Sequence, residues 1–438
     1  MPPRLRSLLG TRIDQIGIEQ LQRLIGLVED SDLEFKSRPY ERTDGERKEA
    51  ALDLATLANG NGGLLLFGVD EDGVGAAVSF RPSRQDDDFP LWIDQVSASR
   101  IFPYLPIGVH TVEVEGGVVY VVSIPPSLRT PHAVASGDSL RYPIRAGRHR
   151  RYLSESEIAD HYQRRFVSVA DRAKELDRLL TIGNNIALGS EHPDWVWMVI
   201  GLVPDGPGDL QLRRNLGTEW ASWVPDGLKD FPCYDDRGVR CRIALGFRSL
   251  VIHDSMVNTA STYRVGGQLM LDGSGVLVFA YDGGEGNPGS LKDSQTLYDE
   301  FVVGDLINGL GVLAQHSLRA GAVGDIQVAA EVLGGTKTLV LGECRSPLQG
   351  VLPGTRPIGG GTGVSRHTLS LEGSAGLGSD RLSSVRAIVA DLFSAFGVAE
   401  PLQITSDNKI VRGAFHRDFQ PRIGAWLEKA DVEVSDTV

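Results

Sequence analysis

Hydrophobic and polar positions change period three times between residues 18 and 70, and each change predicts an element. Ile18 to Leu27 carries Leu21, Leu24 and Ile25 at helical spacing, with Val28 just beyond. From Asp32 to Lys36 the period drops to two, so Leu33 and Phe35 face a core while Glu34 and Lys36 share the other side. Helical spacing returns from Glu41 to Ala58, where Ala51, Leu54, Ala55, Leu57 and Ala58 form the apolar stripe. Asn59-Gly60 is a natural helix stop. Leu64 to Val69 is then a nearly unbroken apolar run, the pattern of a strand buried on both faces. The stretch reads strand, helix, strand. Asp70 stands at the C-terminal end of the last strand, where open α/β sheets place their sites.

Further along, Leu91 to Arg100 predicts a helix. Val109 to Glu115 and Val118 to Ile124 alternate as two strands around Gly116-Gly117, a hairpin signal. Leu140 to Arg145 predicts another short strand, and Ser154 with Glu157 is a capping box that opens a helix running to about Phe166. These elements define a first domain over 1–168, followed by a helical linker over 169–183. Residues 1–17 read as a polar lead, a partner-binding arm or a frayed end. Residues 184–438 are Gly-rich and strand-rich, with strands expected at Trp195 to Val203, Arg240 to Ile252, Gly267 to Leu271 and Val276 to Tyr281. Asp325 to Leu333 and Thr338 to Cys344 look like a strand pair. Helices are expected at Leu297 to Leu318, Asp380 to Phe396 and Arg422 to Lys429. The fold class is an α/β (α+β) N-terminal domain with a second, unassigned α+β C-terminal domain.

Acids at the strand ends with one lysine beside them can hold a divalent metal. Hard cations such as Mg²⁺ or Mn²⁺ take carboxylate oxygens. A metal so held activates water and stabilises charge on a phosphodiester, with the lysine adding electrostatic help. A solvated strand face is the plain alternative. Glu29 and Glu34 are five apart, and on one helix they would diverge by about 140°. They converge only if the chain turns between them, which Asp30-Ser31-Asp32 permits.

The pattern Glu-x4-Glu-Phe-Lys, a helix, then Ala-Asn-x-x-Gly-Gly-x-Leu-x-x-Gly-Val-Asp resembles the Schlafen-type AlbA-like domain. Glu29, Glu34, Phe35, Lys36, Ala58, Asn59, Gly62, Gly63, Leu65, Gly68, Val69 and Asp70 carry the resemblance. A later mark, Arg141-Tyr142-Pro143-Ile144-Arg145-Ala146-Gly147, extends it over about residues 18–168. The resemblance implies a metal-dependent endoribonuclease that cuts tRNA or similar structured RNA. Glu29, Glu34 and Asp70 would hold Mg²⁺ or Mn²⁺, and Lys36 would stabilise charge at the scissile phosphate. By analogy it also implies a setting in antiphage or stress defence. Vertebrate members join two half-domains into a clamp, whereas a single Glu-Phe-Lys copy occurs here, so a homodimer is expected. A monomer by light scattering would count against it.

Composition narrows the partners. The 438 residues carry a formal net charge of −13, which opposes indiscriminate nucleic-acid binding. Against that background Arg141, Arg145, Arg148, Arg150 and Arg151 form a basic segment without an acid, and Arg164 and Arg165 follow. The segment reads as a bounded phosphate-binding surface that would position an RNA backbone without choosing sequence; a solvated loop is the alternative. Cys233, Cys241 and Cys344 are too few and scattered for a disulfide framework or zinc site. No apolar run suits a membrane span, and the start lacks a secretory apolar core, so a cytoplasmic protein is expected.

Other motifs fail on spacing. Gly334-Gly335-Thr336-Lys337-Thr338 lacks the glycine before lysine that a P-loop needs. His416-Arg417-Asp418 has no kinase context. Asp86 to Asp88 is expected to be a solvated loop, His132 a loop histidine, and Trp220 and Trp223 part of a core. Two other readings stay open. One is a nucleotide-binding regulatory protein without nuclease activity, with Asn59 to Gly63 as the ligand turn. The other is an interaction module whose C-terminal domain answers a protein trigger.

Overall fold

The two short strands expected on either side of a helix pair with each other in parallel, the arrangement a helical crossover permits. The computed structural model describes residues 3–9, 16–125, 127, 129–146, 149–189, 195–210, 216–232, 241–254, 263–282, 294–335, 337–343, 350–351 and 356–435. It divides into two units, Met1–Ala170 and Asp171–Val438.

In the first unit, helices α1 (Pro3–Leu9) and α2 (Ile18–Gln22) precede β1 (Leu33–Lys36), α3 (Asp44–Ala58) and β2 (Gly63–Phe67). Then come β3 (Val69–Glu71), β4 (Ala77–Phe80), α4 (Phe89–Arg100), β5 (Ile101–Phe102), β6 (Gly108–Val114) and β7 (Gly117–Ile124). The main sheet has the order β1-β2-β7-β6, with Leu33 opposite Leu64 and Phe35 opposite Leu66. β2 is buried throughout because each of its faces meets a core. Leu65 and Phe67 pack with Ala51, Leu54 and Tyr120 on the α3 side, while Leu64 and Leu66 pack with Leu33, Phe35 and Val121. The expected polar lead is different: Leu5 and Leu9, one helical turn apart on α1, are buried in that second core.

Two glycines shape this sheet. Gly62 sits at φ +73° and its N–H returns to the Leu57 carbonyl, closing the end of α3. A Cβ on Gly63 would lie 2.5 Å from the Asp32 carbonyl oxygen. Gly63→Ala must therefore push β1 away from β2, and a stability loss of about 1–3 kcal/mol is expected. Hydrogen exchange of the β1 and β2 amides measures it; unchanged protection would show that the turn before β1 yields freely. The expected single strand from Leu64 to Val69 is broken at Gly68 (φ +93°). Beyond it, β3 leaves the main sheet and pairs with β4.

Four more strands complete the unit: β8 (Ala133–Ser136), β9 (Ser139–Arg141), β10 (Pro143–Ala146) and β11 (His149–Tyr152). The strand expected over 140–145 is thus two, interrupted at Tyr142. Ser154 and Glu157 form the expected capping box at the head of α5 (Glu155–Leu188), with Glu157 Oε2 accepting the Ser154 N–H at 2.8 Å. α5 is one continuous helix across the expected linker.

The second unit contains β12 (Val196–Gly206), α6 (Leu216–Gly227), β13 (Cys241–Gly246), β14 (Ser249–Asp254), β15 (Tyr263–Met270) and β16 (Gly275–Tyr281). It continues with β17 (Ser294–Tyr298), α7 (Asp299–Ala320), β18 (Val323–Leu333), β19 (Thr338–Glu343), β20 (Gly350–Val351) and β21 (Ser365–Ser370). α8 (Leu371–Ala375), α9 (Ser379–Ser394), β22 (Ile410–Val411), α10 (Gln420–Ala430) and β23 (Val434–Ser435) close it. Its seven-stranded antiparallel sheet has the order β13-β14-β15-β16-β12-β18-β21. α7 and α9 bury one face, and Leu176, Leu179 and Leu180 of α5 bury the other. The expected pairing of β18 with β19 does not form; β19 pairs in parallel with β17 instead. Trp220 belongs to the core, as expected, and its indole N–H donates to His316 Nδ1 at 3.0 Å.

His316 Nε2 faces the Met270 carbonyl at 2.8 Å, which fixes a neutral tautomer, and burial pulls the ring down to about 4. A depressed folded pKa stabilises the fold above the unfolded value of about 6.5, and that stability is lost as pH falls towards 4. Roughly 3 kcal/mol is expected to disappear across this window. Acid titration of unfolding in this unit should show a shallower slope for His316→Gln; an unchanged slope would exclude His316 as a source.

Candidate functional site

β1 orients the first side chains. Leu33 and Phe35 are fully buried, so Glu34 and Lys36 emerge together on the opposite side. The turn at residues 30–32 folds Glu29 back beside them, and Glu29 Oε1 accepts the Phe35 backbone N–H at 2.8 Å. This is the convergence that the five-residue spacing requires.

A second element closes over the acids. In the β10–β11 hairpin Arg145 and Arg150 are cross-strand partners, so both side chains leave the same face. Arg145 Nη2 lies 3.3 Å from Glu29 Oε2 and 2.5 Å from Glu34 Oε2, and Nη1 donates to the Leu33 carbonyl at 3.0 Å. Only 5% of the Arg145 side chain is exposed. The Lys36 ammonium contacts Glu34 and stands 3.3 Å from Asp53. Arg150 reaches Asp53 at 3.0 Å and Glu49 at 2.9 Å, and the Tyr40 hydroxyl donates to Asp53.

Glu49, Asp53 and Tyr40 were not singled out from sequence. The available signal was the four-residue spacing of Glu49 and Asp53, which puts both on one side of α3. They change the electrostatics. Burial, reinforced by the Asp53 charge, raises the Glu34 pKa despite the contacts with Lys36 and Arg145. For Lys36, burial is the largest influence and acts downwards, but Asp53 and Glu34 together outweigh it and the net shift is upwards. Both directions fit a pocket with more carboxylate than cation. Burial and Asp53 also hold the Tyr40 phenol well above its ordinary value.

Asp70 makes its ion pair elsewhere. After the turn at Gly68 it lies on β3 opposite Ser79, 37% exposed and 3.7 Å from Arg81. The donor set therefore departs from the expected three-carboxylate metal centre. The oxygens of Glu29 and Glu34 are committed to Arg145, Lys36 and a backbone N–H. Among the described residues no three His, Cys, Asp or Glu side chains stand where they could hold a metal ion. In this arrangement guanidinium and ammonium groups occupy the carboxylates' coordination, and the residues do not fit Mg²⁺ or Mn²⁺ as placed.

In the basic segment each described arginine has a protein partner. Arg145 and Arg150 are paired as above, Arg151 binds Glu157 at 2.6 Å, and Arg141 lies over the Tyr152 ring at 5.2 Å. Arg148 lies outside the described residues. For Arg145 and Arg150 the acids come from far along the chain, Glu29 and Glu34 around the start of β1 and Glu49 and Asp53 on α3, whereas Arg151 takes the nearby Glu157. Asn59 does more than stop a helix: its amide donates to the His132 and Pro143 carbonyls, both at 2.8 Å, and accepts the His132 N–H at 2.6 Å. His132 is buried and bonded to Pro103 and Ser127, so it is a structural residue of that junction.

Residues 29–154 match the family model described as Schlafen, AlbA_2. This stretch is a Schlafen-type AlbA-like domain. The Glu29–Glu34 pair, β1, α3, β2 and the arginine hairpin all lie within it, whereas residues 155–438 lie beyond it. No curated protein matches the chain. A crystal structure of a Corynebacterium diphtheriae protein is similar at 18% identity over 36% of this chain and 27% of its own, with a TM-score of 0.23. The solution structure of the N-terminal domain of a RecG-related protein from Nitrosomonas europaea is similar at 19% identity over 34% of this chain and 90% of its own, with a TM-score of 0.22. The chain thus spans about a quarter of the Corynebacterium protein. Among the described residues no helix is long and apolar enough to cross a membrane.

Proposed function

We propose that the Schlafen domain of this chain is an endoribonuclease that cleaves structured RNA of the tRNA kind, with the C-terminal unit choosing substrate, sensing a trigger or joining two copies. One observation supports it above the others. Glu34 is a partly buried carboxylate of raised pKa, and it touches a lysine and an arginine at once. Cleaving a phosphodiester needs a proton acceptor for the attacking oxygen and cations for the negative charge that builds on the phosphoryl oxygens, while solvent protonates the departing oxygen. Glu34 takes the first role and Lys36 the second. Arg145 positions Glu34 and Glu29. Service in antiphage or stress defence is the setting we attach to this activity by analogy alone.

The test is cleavage of total tRNA by the full chain in Mg²⁺, Mn²⁺ or EDTA. Discrete fragments are expected from the wild type. Intact tRNA under all three conditions would overturn the reading. Cleavage that strictly requires Mg²⁺ or Mn²⁺ would mean that Arg145 gives up the glutamates when RNA arrives, and cleavage in EDTA would mean that it keeps them.

A further inference from the structure

Within the first unit a cavity of about 650 Å³ opens between the α3 stop at Asn59 to Asn61 and the first turns of α5. α5 presents one stripe to it: Glu157, His161, Arg164, Arg165 and Ser168 are spaced 4, 3, 1 and 3 apart and all line the cavity. The Glu157 charge is already taken by Arg151 at 2.6 Å. Arg164 and Arg165 make no ion pair with any described residue, so the charge offered to the cavity is theirs. Ser31, Thr130 and Asn61 are polar members of the same lining, and Ile144 and Leu153 are its apolar members.

We propose that this cavity binds a nucleoside monophosphate group, its phosphate on Arg164 and Arg165 and its base against Ile144 and Leu153. Guanidinium groups with adjacent hydroxyls are phosphate chemistry. The volume suits a ligand with an apolar part and is far more than a bare anion needs. Two sources can supply the group: a free mononucleotide, or the phosphorylated end of an RNA strand. The second rests on the nuclease reading and has a structural reason. Arg145 lines the cavity and also clamps Glu29 and Glu34, and Ser31 lies in the turn between those two acids. A strand end seated here would place the following backbone beside the acid cluster.

The experiment is calorimetry on the full chain with AMP, GMP, CMP and UMP, beside inorganic phosphate and adenosine. Arg164→Gln/Arg165→Gln is the paired variant, and unchanged thermal unfolding checks that it folds. At least one mononucleotide is expected to bind, at least tenfold more weakly in the variant, with weakening as salt rises. Absence of mononucleotide binding, equal affinity in the variant, or phosphate binding as tightly as the nucleotide would each overturn the proposal. Oligoribonucleotides with a 5′-phosphate or a 5′-hydroxyl separate the sources. A tenfold preference for the phosphate that the variant loses assigns the strand end, and equal binding of the two with mononucleotide binding intact assigns the free nucleotide. Mononucleotide binding by a chain that cleaves no RNA would defeat the nuclease reading and leave this one standing.

Discussion

Arg145→Met is expected to destabilise the Schlafen domain by about 3–5 kcal/mol, the usual cost of removing one partner from a buried ionic group. Arg145 is 5% exposed, and the two glutamates it bridges are 11% and 14% exposed. Methionine fills much of the volume but leaves two carboxylates side by side with Lys36 alone to compensate. The Glu34 pKa is already raised in the wild type and rises further once Arg145, which lowers it, is removed. A carboxyl whose folded pKa exceeds its unfolded value stabilises the fold below the unfolded value near 4.5, and that contribution is lost as pH rises through the folded one. The deficit of the variant should therefore be largest at neutral pH and shrink towards pH 4. Hydrogen exchange of the β1 and β2 amides in the full chain isolates this unit from the other. A deficit independent of pH would mean that lost packing, not unpaired charge, is responsible.

What was legible in the sequence follows interaction range. The alternation in Leu33-Glu34-Phe35-Lys36 is a local consequence of burial and β1 stands where the pattern put it, whereas the apolar run from Leu64 to Val69 forms β2 only as far as Phe67. The turn between Glu29 and Glu34 was also legible, because only a turn lets residues five apart converge. The fate of the arginines was not. Whether Arg150 is free depends on Glu49 and Asp53, about a hundred residues away and brought near only when the hairpin meets α3. The break at Gly68 was hidden for a different reason: an apolar run looks continuous whether or not one glycine inside it takes a positive φ. Beyond that residue Asp70 lies on β3, off the main sheet and 3.7 Å from Arg81. Similarly, β19 has strand composition, but composition does not say that β17 rather than β18 is its partner.

Glu34→Gln is expected to lower kcat/KM for RNA cleavage by about 10²–10⁴, the range for loss of a general base. Lys36→Met should cost about 10²–10³, the range for one preorganised donor at a developing negative charge. The two variants are separable by pH. Because burial and Asp53 raise the Glu34 pKa, the acidic limb of the wild-type profile should lie above the ordinary value of 4.5. Glutamine has no proton to exchange there, so the limb should vanish in Glu34→Gln. Lys36 lowers the Glu34 pKa through its charge, so in Lys36→Met the limb should survive and move to higher pH. Lys36 itself, held above 10.5 by Asp53 and Glu34, stays cationic across the neutral range and contributes no limb. It acts as fixed charge and not as proton carrier. A limb that persists in Glu34→Gln would place the base elsewhere, and Asp53, which shares Lys36, would then be the residue to replace.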